Sequence, residues 1–420
     1  MQTQNNRSLI LPLAMFGVAT FFYLYEFLLR VSPSVLEKEL FQTFQMNAHA
    51  FGVFTSCYYW SYAPLQLPVG ALTDKYGPRR LLTLAIMLCA GSTLLMAFTE
   101  SFFVSCIARF LIGAGSAFAF ISCMKIINIW FAPHLFPLLT GITLAIGTLG
   151  AAIGGNPLSL ALNFMDWRTL LIVVAGVGFV LGALAWCLIK DHNPHGPFED
   201  SEEQQDLFGF WKSLVTVLKQ PQNWLVGIYA FCVTGPTDAF GGAWGVKFLT
   251  DAHGISREVA SQAAVTMTFL GIAVGSPLLG WFSGRLNSRK YPMIFSSIVA
   301  ALALTLIIYL PHLNGWSASI LFFIFGAAGT YVLAFVMIRQ ITASRYVATA
   351  VGFVNMLSMF GSALLTYLIG WLLDMVRDGM LNDMGMPVYI AEHFHVSLFV
   401  LPLFYALSAV LIVPFIKDRK

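Results

Sequence analysis

Charged side chains are scarce in this sequence. Asp, Glu, Lys and Arg together make up 10% of its 420 residues, against roughly 25% in soluble domains. Hydrophobic residues make up 58%, and apolar runs of about 20 residues, long enough to cross a bilayer as helices, recur along the chain. These proportions exclude an ordinary soluble globule and indicate a polytopic membrane protein. The small net charge of +3 does not point to nucleic acid as a partner.

Sequence motifs for metal binding, disulfide frameworks and catalysis are missing as well. The six cysteines form no C-x-x-C pair and fall within apolar runs, so we expect small buried residues rather than disulfides or metal ligands. The eight histidines are scattered apart from two close pairs in predicted loops. The sequence shows no phosphate-binding loop and no nucleophile motif. We therefore predict that the protein is not an enzyme and uses no cofactor and no metal.

An internal repeat at half the chain length indicates the architecture. The stretch Gly70–Arg80, GALTDKYGPRR, lies between two apolar runs, and 210 residues further on Gly280–Lys290 reads GWFSGRLNSRK. Glycines in the predicted fifth and eleventh spans repeat with a spacing of 211 residues. A repeat of this length predicts two pseudo-symmetric six-helix halves.

We predict an all-α membrane protein with twelve transmembrane helices. Its N-terminal half covers residues 1–190, a cytoplasmic linker covers 191–223, and the C-terminal half covers 224–420. The first apolar run is too long for a signal sequence, so we expect it to remain as an anchor. The twelve spans begin near Leu9, His49, Leu81, Phe102, Phe136, Thr169, Trp224, Ala260, Met293, Ala318, Ala348 and Val396.

The distribution of lysine and arginine predicts the orientation of these spans. With both termini in the cytoplasm, sixteen of the 23 basic residues lie on the inner side and six on the outer side, as the positive-inside rule requires. The linker is either solvated or carries an amphipathic helix at the membrane interface. Its apolar residues at helical spacing are Leu207, Trp211, Leu214 and Leu218.

Several motifs resemble those of the major facilitator superfamily. Gly70–Arg80 resembles the signature G-x-L-x-D-x-x-G-x-R/K-R/K of the cytoplasmic loop after the second span, although Gly284 replaces the acid in the second copy. Arg109–Gly115 resembles the fourth-span motif R-x-x-x-G-x-G, and Asp166–Arg168 resembles the usual entry to the sixth span. The fifth span matches the antiporter signature only in part, because Ala151 stands where that signature has proline.

This resemblance implies a monomeric secondary transporter of the bacterial inner membrane that works by alternating access. It also implies that the loop signature holds the two halves together on the cytoplasmic face, with Asp74 accepting hydrogen bonds from the N-terminal amides of a neighbouring helix. The gating residues that follow from it are Gly70, Asp74, Gly77, Arg79, Arg80 and Arg289.

Charged residues inside spans are the first candidates for function, because each costs about 2.5 to 3.5 kcal/mol to insert. Glu26 is followed at i+4 by Arg30, which fits either a proton-coupling carboxylate or a local ion pair near the outer interface. Asp238 lies 212 residues after Glu26, at the equivalent place in the second half. The adjacent Gly235 and Pro236 should interrupt that helix. Asp238 is then a second proton-coupling residue, or an acid satisfied by Thr237 and freed amides.

Arginine and aromatic residues complete the predicted pocket. Arg109 could pair with Glu26, bind a substrate carboxylate or latch two helices together. Lys125 and Arg339, at the inner ends of their spans, are expected to snorkel to the headgroups. The predicted substrate-binding residues are Tyr23, Arg30, Tyr59, Arg109, Trp244, Tyr331 and Asn355.

These features predict a proton symporter that imports a small polar nutrient across the lipid bilayer. The run from Tyr25 to Val35 resembles the branch of the superfamily that includes phagosomal amino-acid transporters, which makes an amino acid the first substrate hypothesis. The alternatives are an importer of siderophores, nucleosides or polyols, and a proton-antiport exporter of drugs or siderophores. The expected partners are a small-molecule substrate and protons.

Overall fold

The computed structural model describes residues 7–132, 135–191, 207–286, 288–343, 346–379 and 387–417. Every regular element in these ranges is helical. The helices form twelve spans, as predicted from the sequence.

The first six spans precede the linker. Two short helices flank span two in the chain: Glu37–Phe44 before it and Val69–Tyr76 after it. Spans one to six are Arg7–Val35, Ala48–Leu65, Pro78–Phe98, Phe102–Trp130, Phe136–Gly154 with its continuation Asn156–Ala161, and Trp167–Leu188.

The second six spans follow the linker. Their predicted starts agree with the structure to within a few residues, and the largest difference is in span twelve, where a polar first turn begins at Ala391 rather than Val396. Spans seven to twelve are Pro221–Ala239 continued by Phe240–Trp244 and Gly245–His253, then Arg257–Arg285, Lys290–Tyr309, Gly315–Ile341, Val347–Val376 and Ala391–Phe415.

Ten of the described helices are long and apolar enough to cross a membrane by length and composition. Spans two and seven do not belong to that group. Span two is rich in tyrosine and serine, and span seven contains a π-helical turn at Phe240–Trp244. A π-turn inside a helix often marks a functional position, and both of these spans contribute to the site described below.

Apolar side chains cover the outside of the spans, while several charged side chains within the spans are buried inside the bundle. Trp316 is 84% exposed and Phe103 is 71% exposed, whereas Glu26 and Arg109 are buried. This is the distribution expected of a helical bundle whose surrounding solvent is lipid.

Glycines let the spans around the interior approach at backbone distance. A Cβ atom at Gly150 of span five would lie 2.0 Å from the Leu24 carbonyl oxygen of span one. A Cβ atom at Gly113 of span four would lie 2.0 Å from the Tyr58 carbonyl oxygen of span two. Small residues at such crossings are typical of membrane helices, and these crossings fix the positions of the charged residues on spans one and four.

The linker contains the amphipathic helix that its sequence allows, at Leu207–Leu218. Leu214 and Val217 are buried, while Trp211 is 60% exposed. Asn223 Nδ2 donates to the Val217 carbonyl at 2.9 Å, which ties the helix to the start of span seven. The part of the linker before this helix, residues 192–206, lies outside the described residues.

Candidate functional site

A buried ion pair lies in the interior of the N-terminal half. Arg30 Nη2 lies 3.1 Å from Glu26 Oε1 and 3.2 Å from Oε2, one helical turn apart on span one. The Tyr58 hydroxyl donates to Glu26 Oε2 at 2.7 Å. Arg30 Nε in turn donates to the Tyr58 oxygen at 3.3 Å. The pair is therefore an internal, hydrogen-bonded unit and not a pair at the outer interface.

Aromatic rings surround the Arg30 guanidinium. Its central carbon lies 4.2 Å from the Phe27 ring centroid and 5.1 Å from that of Tyr62. Contacts of this kind stabilise a cation where water is excluded. They hold Arg30 in place while leaving its hydrogen-bonding edge to the carboxylate of Glu26.

Asp238 enters the same site from span seven, in the other half of the protein. It is buried and accepts a hydrogen bond from the Ser362 hydroxyl at 2.8 Å. Arg30 lies within electrostatic range of Asp238. Glu26 and Asp238, predicted as a symmetric pair of acids, thus lie near the same arginine, which forms an ion pair with Glu26. We refer to Glu26, Arg30, Tyr58, Tyr62 and Asp238 as the core cluster.

The predicted interruption of span seven takes the form of a proline within the helix followed by a π-turn. Pro236 has no N–H and cannot donate to the carbonyl four residues earlier, and the π-turn Phe240–Trp244 begins four residues after it. Thr237 donates to the Val233 carbonyl at 2.8 Å instead of to the neighbouring acid. Asp238 is therefore satisfied by span eleven, and the alternative that Thr237 satisfies it is wrong for this conformation.

Arg109 bonds to the main chain of span one rather than to Glu26. Its Nη1 donates to the Leu29 carbonyl at 2.8 Å, and its Nη2 donates to the Arg30 carbonyl at 3.3 Å. Pro33, inside the same helix, lacks the N–H that would otherwise reach Leu29. Of the three predicted roles, the structure has Arg109 as the latch between helices.

The other predicted pocket residues fall into two groups. Tyr23 is buried between Phe27 and Phe120, and Tyr59 lies in the interior within electrostatic range of Asp238. Tyr331 is partly buried and also lies within electrostatic range of Asp238. These tyrosines line the region of the core cluster.

Trp244 and Asn355 lie at contacts between the two halves. Trp244 is fully buried, packs edge-on against Phe51 at 5.1 Å and donates to the Thr366 carbonyl at 3.0 Å. Asn355 Nδ2 donates to Gln66 Oε1 at 2.8 Å. In this conformation Asn355 bonds across the interface, whereas Trp244 packs across it against Phe51 and bonds within its own half.

Three residues of the site, Tyr58, Tyr62 and Ser362, were not among the predicted proton-coupling or substrate-binding residues. Tyr58 bonds both Glu26 and Arg30, and Ser362 bonds Asp238. The tyrosine-rich stretch of span two was a usable signal for Tyr58. A single serine in an apolar helix gave none for Ser362.

The gating loop makes different contacts from those expected. Asp74 pairs with Lys125 at 2.8 Å, within its own half, and both side chains are partly exposed. The expected bond from Asp74 to a helix N-terminus is absent among the described contacts, and Lys125 is in an ion pair rather than snorkelling alone.

The rest of the loop is anchored within its half. Gly77 has φ of +78°, which favours glycine, and the Arg79 amide donates to Asp191 Oδ1 at 2.8 Å. Gly70 faces open space and Arg80 is exposed. In the second copy, Arg289 Nη1 donates to the Ser283 hydroxyl at 2.7 Å.

Ion pairs join the two halves on the predicted external face. Lys247 Nζ lies 2.6 Å from Glu37 Oε1, and Arg257 pairs with Glu39 and donates from Nε to the Val35 carbonyl at 2.9 Å. Burial raises the pKa of the Glu37 carboxyl above its usual value, although Lys247 opposes that rise. A cavity of about 530 Å³ remains beside these pairs.

A helical membrane bundle with buried acids in both halves and a buried arginine near them is typical of carrier-type membrane proteins. The Major Facilitator Superfamily model matches residues 13–243 and 226–377. The chain therefore belongs to the Major Facilitator Superfamily.

Curated relatives share 23–27% sequence identity with the chain over the aligned regions. The chain is 27% identical over 41% of its length to an uncharacterized transporter, YybO, of Bacillus subtilis, of which it spans 40%. It is 23% identical over 65% of its length to the probable sulfoacetate transporter SauU of Cupriavidus necator, of which it spans 65%. It is 23% identical over 60% of its length to the hexuronate transporter of Bacillus subtilis, of which it spans 63%. The chain thus spans less than two thirds of each of these relatives.

Solved structures agree with the fold. A bacterial homologue of the human lysosomal transporter Spinster, inward-facing and unoccupied, superposes with a TM-score of 0.79 at 16% identity, over 98% of this chain and 97% of that one. The nucleoside transporter NupG superposes with a TM-score of 0.76 at 14% identity, over 97% of this chain and 100% of that one. At these identities the likeness concerns the fold alone.

Proposed function

We propose that the protein is a secondary active transporter that works by alternating access and imports a small polar nutrient together with protons. One observation carries the proposal: buried acids from the two halves, Glu26 and Asp238, lie near the same buried cation, Arg30, which forms an ion pair with Glu26. A site built from both halves changes when the halves move, as alternating access requires. The moving units are then residues 1–190 and 224–420, joined by the linker 191–223.

The balance of charges indicates how a proton could be coupled. With both acids ionised and Arg30 charged, the core cluster carries one net negative charge, and one bound proton makes it neutral. Because net charge is costly inside a bilayer, the neutral form is the one suited to changing sides. Protonation of Glu26 also removes its hold on Arg30, which then becomes available to a substrate carboxylate.

The same balance favours a zwitterion, such as an amino acid, as the substrate. Its carboxylate would pair with Arg30 and its ammonium group with Asp238, which lies on the opposite half. A zwitterion adds no net charge, so one proton suffices to keep the cluster neutral. An organic anion would require a further proton for each of its charges.

A second candidate is the transport of small organic acids. The printed names of two relatives, the probable sulfoacetate transporter and the hexuronate transporter, favour it. Arg30 would bind the acid group in both cases. Export stays a third possibility, since probable sugar efflux transporters of Helicobacter pylori are also similar, at 27–28% identity.

A thermal-shift screen with detergent-purified protein tests the substrate class. Amino acids, organic acids, sugars, nucleosides, polyols and iron chelators are added separately, and a ligand of the native state raises the melting temperature by mass action. We expect amino acids to raise it, and the shift to be lost in Arg30→Gln. A response only to organic anions would replace the zwitterion with the second candidate, and a response only to chelators or bulky apolar compounds would overturn both.

Proton coupling is tested in proteoliposomes with the ligand found. We expect Glu26→Gln to abolish uphill uptake and to retain exchange, because the neutral side chain cannot release a proton. The matched control is Glu100→Gln, which changes an exposed carboxylate and should leave uptake intact. Uphill uptake that persists in Glu26→Gln would show that Glu26 is not the coupling site.

Orientation and assembly belong to the same proposal. We propose that both termini lie in the cytoplasm, that the membrane is the bacterial inner membrane, and that the protein acts as a monomer. In that orientation the ion pairs Lys247–Glu37 and Arg257–Glu39 close the external side. The conformation described here would then be inward-facing.

A further inference from the structure

The first turn of span two is held by the other half of the protein. The N-terminal amides of a helix have no partner within the helix, and here those of Ala48, His49 and Ala50 each have one outside it. The side chain of the N-cap residue Asn47 accepts from Ala50 at 2.8 Å, and its carbonyl accepts the first regular helical bond from Phe51 at 3.0 Å. The amides of Ala48 and His49 are left for the C-terminal half.

Asp374 and Tyr389 supply those two partners. The His49 amide donates to Asp374 Oδ2 at 2.8 Å, and the Ala48 amide donates to the Tyr389 oxygen at 2.8 Å. The Tyr389 hydroxyl donates in turn to Asp374 Oδ1 at 2.6 Å. A carboxylate at the N-terminus of an 18-residue helix also interacts favourably with the helix dipole.

These bonds require the two halves to meet at backbone distance. A Cβ atom at Gly370, one turn before Asp374 on span eleven, would lie 2.3 Å from the Ala48 carbonyl oxygen. Only glycine lets span eleven approach this closely. Any separation of the halves at this end therefore removes the partners of Ala48 and His49 together.

We propose that Asp374 and Tyr389 form an external latch, which caps span two when the predicted external face is closed and releases it when that face opens. They act as positioning residues, because they set the balance between conformations without touching the core cluster. The latch does not depend on the identity of the substrate, so its test needs no ligand. The latch can therefore be refuted while the proposed function stands, and the proposed function can be refuted while the latch stands.

A cysteine probe at Ser34 measures opening of the external face. Ser34 is 1% exposed and lines the cavity between the halves, and Ser34→Cys is placed in a background that lacks the six native cysteines. A membrane-impermeant maleimide is added to intact cells, and the labelling rate is measured. The rate reports the fraction of molecules whose external face is open.

We expect Asp374→Ala to raise the labelling rate about tenfold, equivalent to about 1.4 kcal/mol in the balance of conformations. Asp374→Asn keeps one acceptor for the His49 amide and should raise the rate less. Gly370→Ala should also raise the labelling rate, because the added Cβ would clash with the Ala48 carbonyl oxygen and push the halves apart at this end. The matched control is Asp378→Ala, which removes a 67%-exposed carboxylate four residues further on, just beyond the end of span eleven, that pairs with His393 instead.

Gel filtration and melting curves establish that each variant is folded. If Asp374→Ala does not fold, Tyr389→Phe replaces it, because it keeps the ring and removes only the hydroxyl. An unchanged labelling rate in a folded Asp374→Ala or Tyr389→Phe protein would overturn the latch. An equal rise in Asp378→Ala would also overturn it, since it would indicate general loosening of this end of span eleven.

Discussion

Arg109 should matter to stability through one main-chain atom, the Leu29 carbonyl oxygen. That oxygen would normally accept from the amide four residues later, but residue 33 is proline and has no N–H. Arg109 Nη1 occupies the position at 2.8 Å and is itself buried. The prediction is that Arg109 and Pro33 are energetically coupled although their side chains have different roles.

The expected coupling can be worked out from the structure. Arg109→Ala removes the ring contacts of the guanidinium with Phe54 and Tyr58. It also removes the charged hydrogen bond to the Leu29 carbonyl and leaves the Ser32 hydroxyl, at 2.9 Å, as the partner of that oxygen. The loss of a hydrogen bond to a charged group costs about 1.5–3 kcal/mol. In a Pro33→Ala background the new amide can satisfy Leu29, so that part of the cost should vanish while the ring contacts are still lost.

A double-mutant cycle isolates this contribution. The free energies of unfolding of the wild type, Arg109→Ala, Pro33→Ala and the double variant are measured in detergent. Pro12, the other proline within span one, gives the matched control, since Pro12→Ala should show no coupling with Arg109. Additivity of Arg109→Ala and Pro33→Ala to within about 0.5 kcal/mol would refute the reasoning.

Two further predictions concern the gating loop. Gly77→Ala should destabilise the protein by about 1–3 kcal/mol, because φ is +78° and the new Cβ would lie 2.4 Å from Asp191 Oδ1. Melting curves compare it with Gly91→Ala, where a Cβ meets nothing within 4 Å. An equal loss of stability in both variants would contradict the prediction. Asp74→Asn should barely change the melting temperature, because the partly exposed pair with Lys125 is worth at most about 1 kcal/mol. It should lower maleimide labelling of the external probe, since we expect Asp74 to stabilise the opposite conformation, and unchanged labelling would count against that role.

The spans and the two acids could be predicted because the sequence repeats. Starts at Phe102 and Phe136 coincide with the structure, since a run of apolar residues that must span a bilayer leaves little choice of boundary. The repeat also placed Glu26 and Asp238 at equivalent depths. Both are buried, and both lie near Arg30, although only Glu26 forms an ion pair with it.

Contacts that depend on how one helix faces another could not be predicted. The partner of Arg109 is a carbonyl oxygen, which every residue has, so no side-chain pattern distinguishes Leu29. Trp244 was assigned to the pocket because it is aromatic and follows Asp238. The π-turn at Phe240–Trp244 shifts the register of the helix beyond it, and Trp244 lies against Phe51 at the interface instead. Periodicity gives the apolar face of a helix but not the rotation that such a turn introduces.

The two ends of the interface are held unequally, and this bears on how the halves could move. On the predicted external face the contacts are charged and largely buried, as in Lys247–Glu37 and the bond from the His49 amide to Asp374. Breaking one partner away from such a buried contact is costly, so the opposite conformation needs compensating bonds at the other end. Asp74 can supply them at little loss, because its present partner lies in its own half and both side chains are partly exposed. In the proposed alternating-access cycle, the loop signature would therefore stabilise the opposite conformation more than the one described here.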